Sequence, residues 1–261
     1  MRVLSIAATG MSAQQLNVET IANNIANANT TGFKRSRAEF TDLLYQIVRS
    51  SSVPSASGES VIPEGAELGL GTRLSSIRNI NLQGPISSTG NELDVALNGD
   101  GWFQVRNVDG EIAYTRSGSF NKDANGQIVT GDGLLLEPPI TVPADSLKVS
   151  ISRTGQVFSL ASNGTETQIG DIQLATFVNS AGLRALGGSL FKDTEASGPA
   201  LTGTPGTSPF GVLEQGYLEE SNVDPVQEIT ELIAAQRAYE LNSKVIQAAD
   251  DMAGIVSKGI R

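Results

Sequence analysis

"SNVDPVQEITELIAAQRAYELNSKVIQAADDM", Ser221 to Met252, decides the architecture of this chain of 261 residues. Asp224 stands where a helix needs its N-cap, and Pro225 follows at the position where a missing N–H costs nothing. Gln227 sits in capping-box spacing. No breaker interrupts the pattern up to Met252, and Gly254 is its first weak point. Wound at about 3.6 residues per turn, the stretch carries two apolar seams. Leu241, Val245, Ala248, Met252 and Ile255 form one. Leu232, Tyr239, Ile246, Ala253 and Ile260 form the other at heptad spacing, flanked by Ala249 and Val256. Together they cover roughly 200° of the helix, well beyond the ~100° stripe of an ordinary surface helix. One partner helix cannot cover both, so the second seam is expected to face other copies of the chain.

The first helix is expected from Val3 to Ala28. Leu4, Met11, Val18 and Ile25 recur at heptad spacing, with Ala7, Ile21 and Ala28 at the complementary positions and Gln14 as a polar interruption. Between Val3 and Phe33 the only charged residue is Glu19, whereas a solvated helix face carries several. This helix is therefore expected to be touched on several sides. It leads into the middle of the chain and the C-terminal helix leads out. If both dock at one end of that middle they pair antiparallel, which brings Met1 close to Arg261.

"NNIANANTTGFKR", Asn23 to Arg35, ends the first helix with poor helix formers. Asn27, Asn29, Thr31, Gly32 and Phe33 mark a stop, with Gly32 suited to left-handed backbone. The amides are expected to bond to neighbouring chains, and the stretch reads as an assembly joint.

A further helix is expected at "SRAEFTDLLYQIV", residues 36–48, from a Ser36–Glu39 capping box and an apolar face of Phe40, Leu43, Leu44, Ile47 and Val48. Residues 49–71 are rich in Ser with Pro54 and Pro63, and read as an extended linker or arm. From there to Tyr217 the chain reads as sheet. "ELDVALN", "WFQV", "IAYT", "LKVSI", "QVFSL" and "IQLATFV" are strand-like, and Asp109-Gly110, Asn125-Gly126 and Asn163-Gly164 are hairpin signals. "GGSLFKDTEASGPALTGTPGTSPFG" reads as a long surface loop. The expected fold is α+β: an antiparallel, coiled-coil-like pair of long terminal helices joined to a central all-β domain. Its expected divisions are residues 1–48 with 222–261, then 49–71, then 72–221.

Composition narrows the chemistry. The net charge of −10 argues against nucleic acid and against a polybasic membrane-surface protein. Residues 1–45 carry +1 and residues 222–261 carry −2, which leaves −9 for the middle. Cysteine and histidine are both absent, which excludes disulfides, thiolate or imidazole metal sites, and Ser-His-Asp or Cys-His catalysis. No cofactor is expected. "DANGQ" at Asp123 lacks the later ligands of a calcium loop and reads as a turn. Glu92 with Asp94, or Glu219 with Glu220, offer the paired carboxylates of a glycosidase, but among 28 acids such pairs arise by chance and read as solvated charge. No run approaches the roughly 20 apolar residues of a membrane-spanning helix, and "MRVLSIAATGM" is a poor signal peptide.

"NNIANANTTGFKRSRAEF", "GWFQV" with "AYTRSGSFNKDANGQIVTGDGLLL", and "GYLEESNVDPVQEITELIAAQRAYELNSKVIQAADDM" resemble, in this order, the signatures of the flagellar rod and hook family. The resemblance covers nearly the whole chain. It implies a structural subunit without catalysis that polymerises into a hollow helical shaft, its terminal helices lining the tube and its β domain outward. Chain length and the segment after the first helices are most similar to members from the distal rod. The implied partners are other copies of the chain, proximal rod proteins, hook protein, the P-ring and L-ring proteins, the rod cap and the export apparatus. The implied route is type III export without a cleaved signal peptide. A proximal rod or hook-type member is the alternative within the family, and a secreted glycan-binding or hydrolytic module the alternative outside it.

Overall fold

Both terminal stretches are helices in the computed structural model, which describes residues 2–49, 65–107, 110–162 and 164–259. α1 spans Arg2–Ala26 and β1 and β2 span Ser36–Asp42 and Tyr45–Arg49. β3 (Ala66–Gly69) and β4 (Thr72–Asn79) follow. Next come β5 (Ile86–Ser88), β6 (Val95–Asn98), β7 (Trp102–Arg106), β8 (Ile112–Thr115), β9 (Phe120–Lys122), β10 (Ile128–Thr130) and β11 (Leu135–Leu136). β12 (Ser146–Ile151), β13 (Gln156–Ala161), β14 (Glu166–Asp171) and β15 (Leu174–Thr176) precede β16 (Arg184–Gly187), β17 (Leu190–Lys192) and β18 (Leu201–Gly203). β19 (Val212–Gln215) and β20 (Tyr217–Glu219) lead into α2 (Pro225–Gly259). Gly254 does not interrupt α2, and among the described residues no helix is long and apolar enough to cross a membrane.

These elements form two compact units, each built from separated stretches of chain. Residues 1–25, 36–78 and 225–261 make the first, and residues 26–35 and 79–224 the second. In the first unit the two helices meet in opposite senses. A Cβ on Gly10 would lie 3.0 Å from the Asn242 amide, while further along α1 the Asn24 amide donates to Glu228 at 3.0 Å. Between these points Gln15 and Val18 share a groove of about 450 Å³ with Gln236, Tyr239 and Glu240. Rising numbers on α1 thus meet falling numbers on α2, which is the antiparallel arrangement. Another side of α1 approaches the link between β3 and β4, where a Cβ on Gly71 would strike Thr9 Oγ1. The expected closeness of Met1 and Arg261 lies outside the described residues.

The helix expected over 36–48 is instead one side of a two-stranded antiparallel ribbon. β2 pairs β3 in the register Tyr45↔Gly69, Gln46↔Leu68 and Ile47↔Glu67. The ladder continues through Leu43 N–H to Gly71 O at 2.8 Å and Thr72 Oγ1 to Thr41 O at 3.1 Å, into the β1–β4 pair. The apolar spacing of this stretch also suits a strand, and a partner strand and β-branched or aromatic side chains decide between the two. Ser36, read as an N-cap, is held extended because its N–H and C=O are both taken by the Asn24 side-chain amide, at 2.9 and 2.8 Å. Of the expected arm over 49–71, β3 and its flanks belong to the ribbon, and residues 50–64 lie outside the described residues.

The second unit is sheet apart from a 3-10 turn at Ser180–Gly182. Its largest sheet runs β16-β17-β8-β7-β11-β10-β9, with β15 also on β7 and β18 on β15. β12, β13 and β14 form an antiparallel meander, β19 pairs β6, and β20 pairs β5. The hairpin turn at Asn125-Gly126 joins β9 to β10, with Gly126 at φ +80. The 187–211 stretch is not one long loop, since it contains β17 and β18 and buries Phe191. Glycines and prolines there punctuate short strands rather than replace them. Trp102 and Phe103 are consecutive on β7 and point to opposite faces. Phe103 packs edge-on against Phe120 at 5.3 Å among Val95, Leu97, Ile128 and Leu174, while Trp102 packs against Phe191 at 4.8 Å with Tyr114 and Phe177. Phe103→Ala empties the centre of the larger cluster and is expected to lower stability by about 3–5 kcal/mol, read as a lower midpoint in urea unfolding of the full chain.

Candidate assembly surfaces and the buried charge cluster

α2 has two unlike faces. Glu228 and Ala235 are buried, and Leu232 and Ile246 half-buried, on the side that meets α1. On the opposite side Leu241, Met252 and Ile255 are 62%, 58% and 70% exposed, with Val245 and Ala248 beside them. Tyr239 and Ala253, placed by heptad spacing in the inner seam, are exposed, Tyr239 where it lines the groove with Gln15 and Val18. Val226 and Ile233 continue the outer face, and neither was singled out from the sequence. At about 100° per residue, Val226, Ile233, Leu241, Ala248, Met252 and Ile255 fall within about 100° of arc. Side chains of 256–259, and Ile260, lie outside the described residues.

On α1, Ile21 is buried with Ala7 and Ala13, while Leu4, Met11, Val18 and Ile25 are half-buried. The ribbon of the same unit exposes Leu44, Tyr45, Ile47, Val48 and Leu68. These apolar side chains lie on both faces of the ribbon; Leu44, Tyr45, Ile47 and Val48 come from the stretch expected to be a helix, and Leu68 from the expected arm.

The end of α1 is built by short-range chemistry. The helix stops at Ala26, two residues earlier than expected, and Thr30 N–H closes a turn onto Asn27 O at 3.1 Å. Thr30 Oγ1 bonds the Asn27 side chain at 3.2 Å, Asn29 is exposed, and Thr31 and Phe33 are half-buried. Gly32 is left-handed at φ +67, its N–H donates to Glu219 O at 2.8 Å, and a Cβ there would lie 2.6 Å from Ser117 N. Asn24, expected to bond to other chains, spends its amide on Ser36 and Glu228 within its own chain.

Lys34, Arg116 and Glu219 meet inside the second unit at 3%, 4% and 0% exposure. Lys34 Nζ donates to Glu219 Oε1 at 2.5 Å and to Leu82 O at 2.8 Å. Arg116 Nη1 donates to Glu219 Oε2 at 3.3 Å, and its guanidinium lies 5.5 Å from the Trp102 ring centroid. Gly84 N–H donates to Oε1 at 2.9 Å. Burial pushes the Lys34 ammonium below the usual lysine range, with Glu219 opposing the shift and Arg116 adding to it. Burial likewise lowers Arg116 against the pull of Glu219. Glu219 is therefore not the solvated charge expected of the Glu219–Glu220 pair. A carboxylate can be buried here because two cations and a backbone N–H reach it.

Asn222 gathers the same stretches. Its Oδ1 accepts from Arg35 N–H at 2.7 Å, and its Nδ2 donates to Ile80 O and Leu82 O at 2.8 and 2.9 Å. Ile80 N–H donates in turn to Arg35 O at 2.8 Å. Two residues on, Asp224 directly precedes α2, as its expected N-cap position requires. Glu92 and Asp94 serve turns and edges, with Thr89 Oγ1 donating to Asp94 at 2.5 Å and Val149 N–H to Glu92 at 3.1 Å. Among the described residues no cluster of three or more acids fit to hold a metal occurs.

Three family models match stretches that contain these features. Residues 4–34 match the flagella basal body rod protein model, 96–159 the flagellar hook protein FlgE/F/G D1 domain, and 214–258 the flagellar basal body rod FlgEFG protein C-terminal model. The chain is 55% identical over 262 residues to the flagellar basal-body rod protein FlgG of Agrobacterium fabrum, covering 100% of both chains. It is 49% identical to the protein of that name in Caulobacter vibrioides, over 97% of each chain. With the one from Bacillus subtilis it shares 38% identity, over 97% of this chain and 96% of the other.

The chain belongs to the flagellar basal-body rod protein family. Its rod-type N-terminal segment holds α1 and Lys34, its D1 segment Arg116, and its C-terminal segment Glu219, Asn222 and α2. In this family member Gly32→Val places a β-branched side chain at positive φ against the Ser117 backbone. The substitution is expected to cost more than about 2 kcal/mol, and a wild-type urea midpoint and full motility would contradict that.

Proposed function

We propose that this chain is a structural subunit of the distal flagellar rod, without catalytic activity, which self-assembles into a hollow helical drive shaft carrying torque from motor to hook. The observation that carries this reading is the apolar face of α2 turned away from α1. Exposed apolar side chains in register along one helix mark a surface that is covered in the working assembly. A helical filament covers it by heterologous contacts, each copy docking on the next. Leu241, Val245, Met252 and Ile255 make the contact between copies, while Leu4, Met11, Val18, Ile21, Ile25, Leu232, Tyr239, Ile246 and Ala253 belong to the pairing of α1 with α2. The exposed apolar side chains of the ribbon, on both of its faces, add a second contact to neighbouring copies.

The partners in this reading are further copies of the chain along the shaft, proximal rod proteins below and hook protein above. The P-ring and L-ring proteins surround it, and the rod cap and export apparatus serve its assembly. Its place is the basal body between periplasm and outer membrane, reached without cleavage of a signal peptide. A cell lacking the chain is expected to carry a shaft that stops short of the hook, visible by electron microscopy of basal bodies. The double variant Leu241→Asp with Met252→Asp puts charge on the outer face alone. It is expected to abolish motility and polymer formation in complementation, while circular dichroism and the unfolding midpoint of the monomer stay close to wild type. Motile cells bearing this variant would refute the reading.

A further inference from the structure

The Lys34–Arg116–Glu219 cluster is not needed by the surface chemistry above, and it is an expensive thing to bury. Two cations share one carboxylate, with Lys34 on Oε1 and Arg116 on Oε2. Asp100 acts on Arg116 only as a further charge, after Glu219. Remove the carboxylate and two like charges remain together in a site of low dielectric, with only the weaker charge of Asp100 acting on Arg116. Lys34 and Glu219 are 185 residues apart in sequence. The three charged residues fall one in each of the three matched family segments. Around the same carboxylate, Gly32 N–H bonds the Glu219 backbone, Arg35 N–H bonds Asn222, and Ile80 N–H bonds Arg35.

From this geometry we infer that the cluster is a completion lock. Repulsion between Lys34 and Arg116 keeps residues 32–35 from closing on the sheet unit until Glu219 arrives with the C-terminal part of the chain. Closure then fixes three stretches at once, 32–35, 80–84 and 219–222. An uncharged cluster of the same shape would not discriminate in this way, because apolar packing at 32–35 needs nothing from residue 219 to be favourable. The lock lies wholly within the second unit and does not depend on the rod reading.

The chain carries its own reporter. Trp102 is its single tryptophan and lies against the Arg116 guanidinium. In the full-length protein, Glu219→Gln keeps the shape and removes the charge. Amide exchange at Gly32, Arg35 and Ile80 is expected to accelerate a hundredfold or more, on the order of a broken buried pair. Trp102 emission is expected to shift with it, while amides of the β12–β13–β14 meander keep their protection. Adding Lys34→Met to Glu219→Gln removes one of the two repelling cations and is expected to restore at least about tenfold of the lost protection. Wild-type exchange at the three amides in Glu219→Gln overturns the proposal. If Glu219→Gln opens the meander as well, the comparison rests on the double variant, and no recovery there overturns the proposal too, since packing rather than charge would then govern closure.

Discussion

A carboxylate sealed from water has to be satisfied by the protein, and the second unit is arranged around that requirement at Glu219. Its two oxygens are reached from three directions: Lys34 follows the end of α1, Gly84 precedes β5, and Arg116 follows β8. No two of these are close in sequence, so the carboxylate can be satisfied in only one arrangement of the chain. That is specificity rather than stability. Desolvating three charges offsets most of their attraction, and a well-packed apolar trio would hold as well or better. What the ions add is a penalty on every arrangement in which one partner is missing. Asn222 extends the same logic with neutral bonds, because its single amide serves residues 35, 80 and 82.

The two units differ in how completely they satisfy themselves. The sheet unit has a closed core in which Phe103, Leu97, Leu136 and Leu174 are fully buried, and its short strands are mostly paired. The first unit consists of two helices and a two-stranded ribbon. An isolated two-stranded ribbon is marginal in water, and this one shows several of its largest apolar side chains to solvent. α1 buries Ala7, Ala13, Thr20, Ile21 and Asn24, so Ile21 is the one large apolar side chain among its buried residues.

Sequence legibility followed range of interaction. The start of α2 at Pro225 was readable because capping is local, and the left-handed Gly32 because a turn announces itself in a few residues. The strands Trp102–Arg106, Ile112–Thr115 and Gln156–Ala161 were readable from β-branched and aromatic runs between turn signals. Residues 36–48 were misread, because Phe40, Leu43, Leu44, Ile47 and Val48 fit a helical face as well as a strand, and the deciding partner arrives some thirty residues later. Glu219 was misread for the same reason in stronger form. Nothing in "GYLEES" distinguishes a solvated glutamate from one whose counter-ions stand 103 and 185 residues away. Asn24 shows the middle case. Its poor helix propensity was visible, but the use of its amide, to bracket Ser36 and hold Glu228, needed the third dimension.

The asparagine-rich end of α1 then has a physical explanation that does not call on neighbouring chains. An apolar side chain at position 24 would leave the Ser36 N–H and C=O and the Glu228 carboxylate without one of their bonds, in a place with little water to replace it. A charged side chain there could serve the N–H or the C=O but not both, whereas a carboxamide is donor and acceptor in one plane. That is why an amide stands where α1, β1 and the first turn of α2 converge. The helix gives up a few tenths of a kcal/mol of propensity at each such residue and gains bonds each worth about 1 kcal/mol. Weak helix formers are the cheaper choice wherever a helix end has to be recognised by other parts of its own chain.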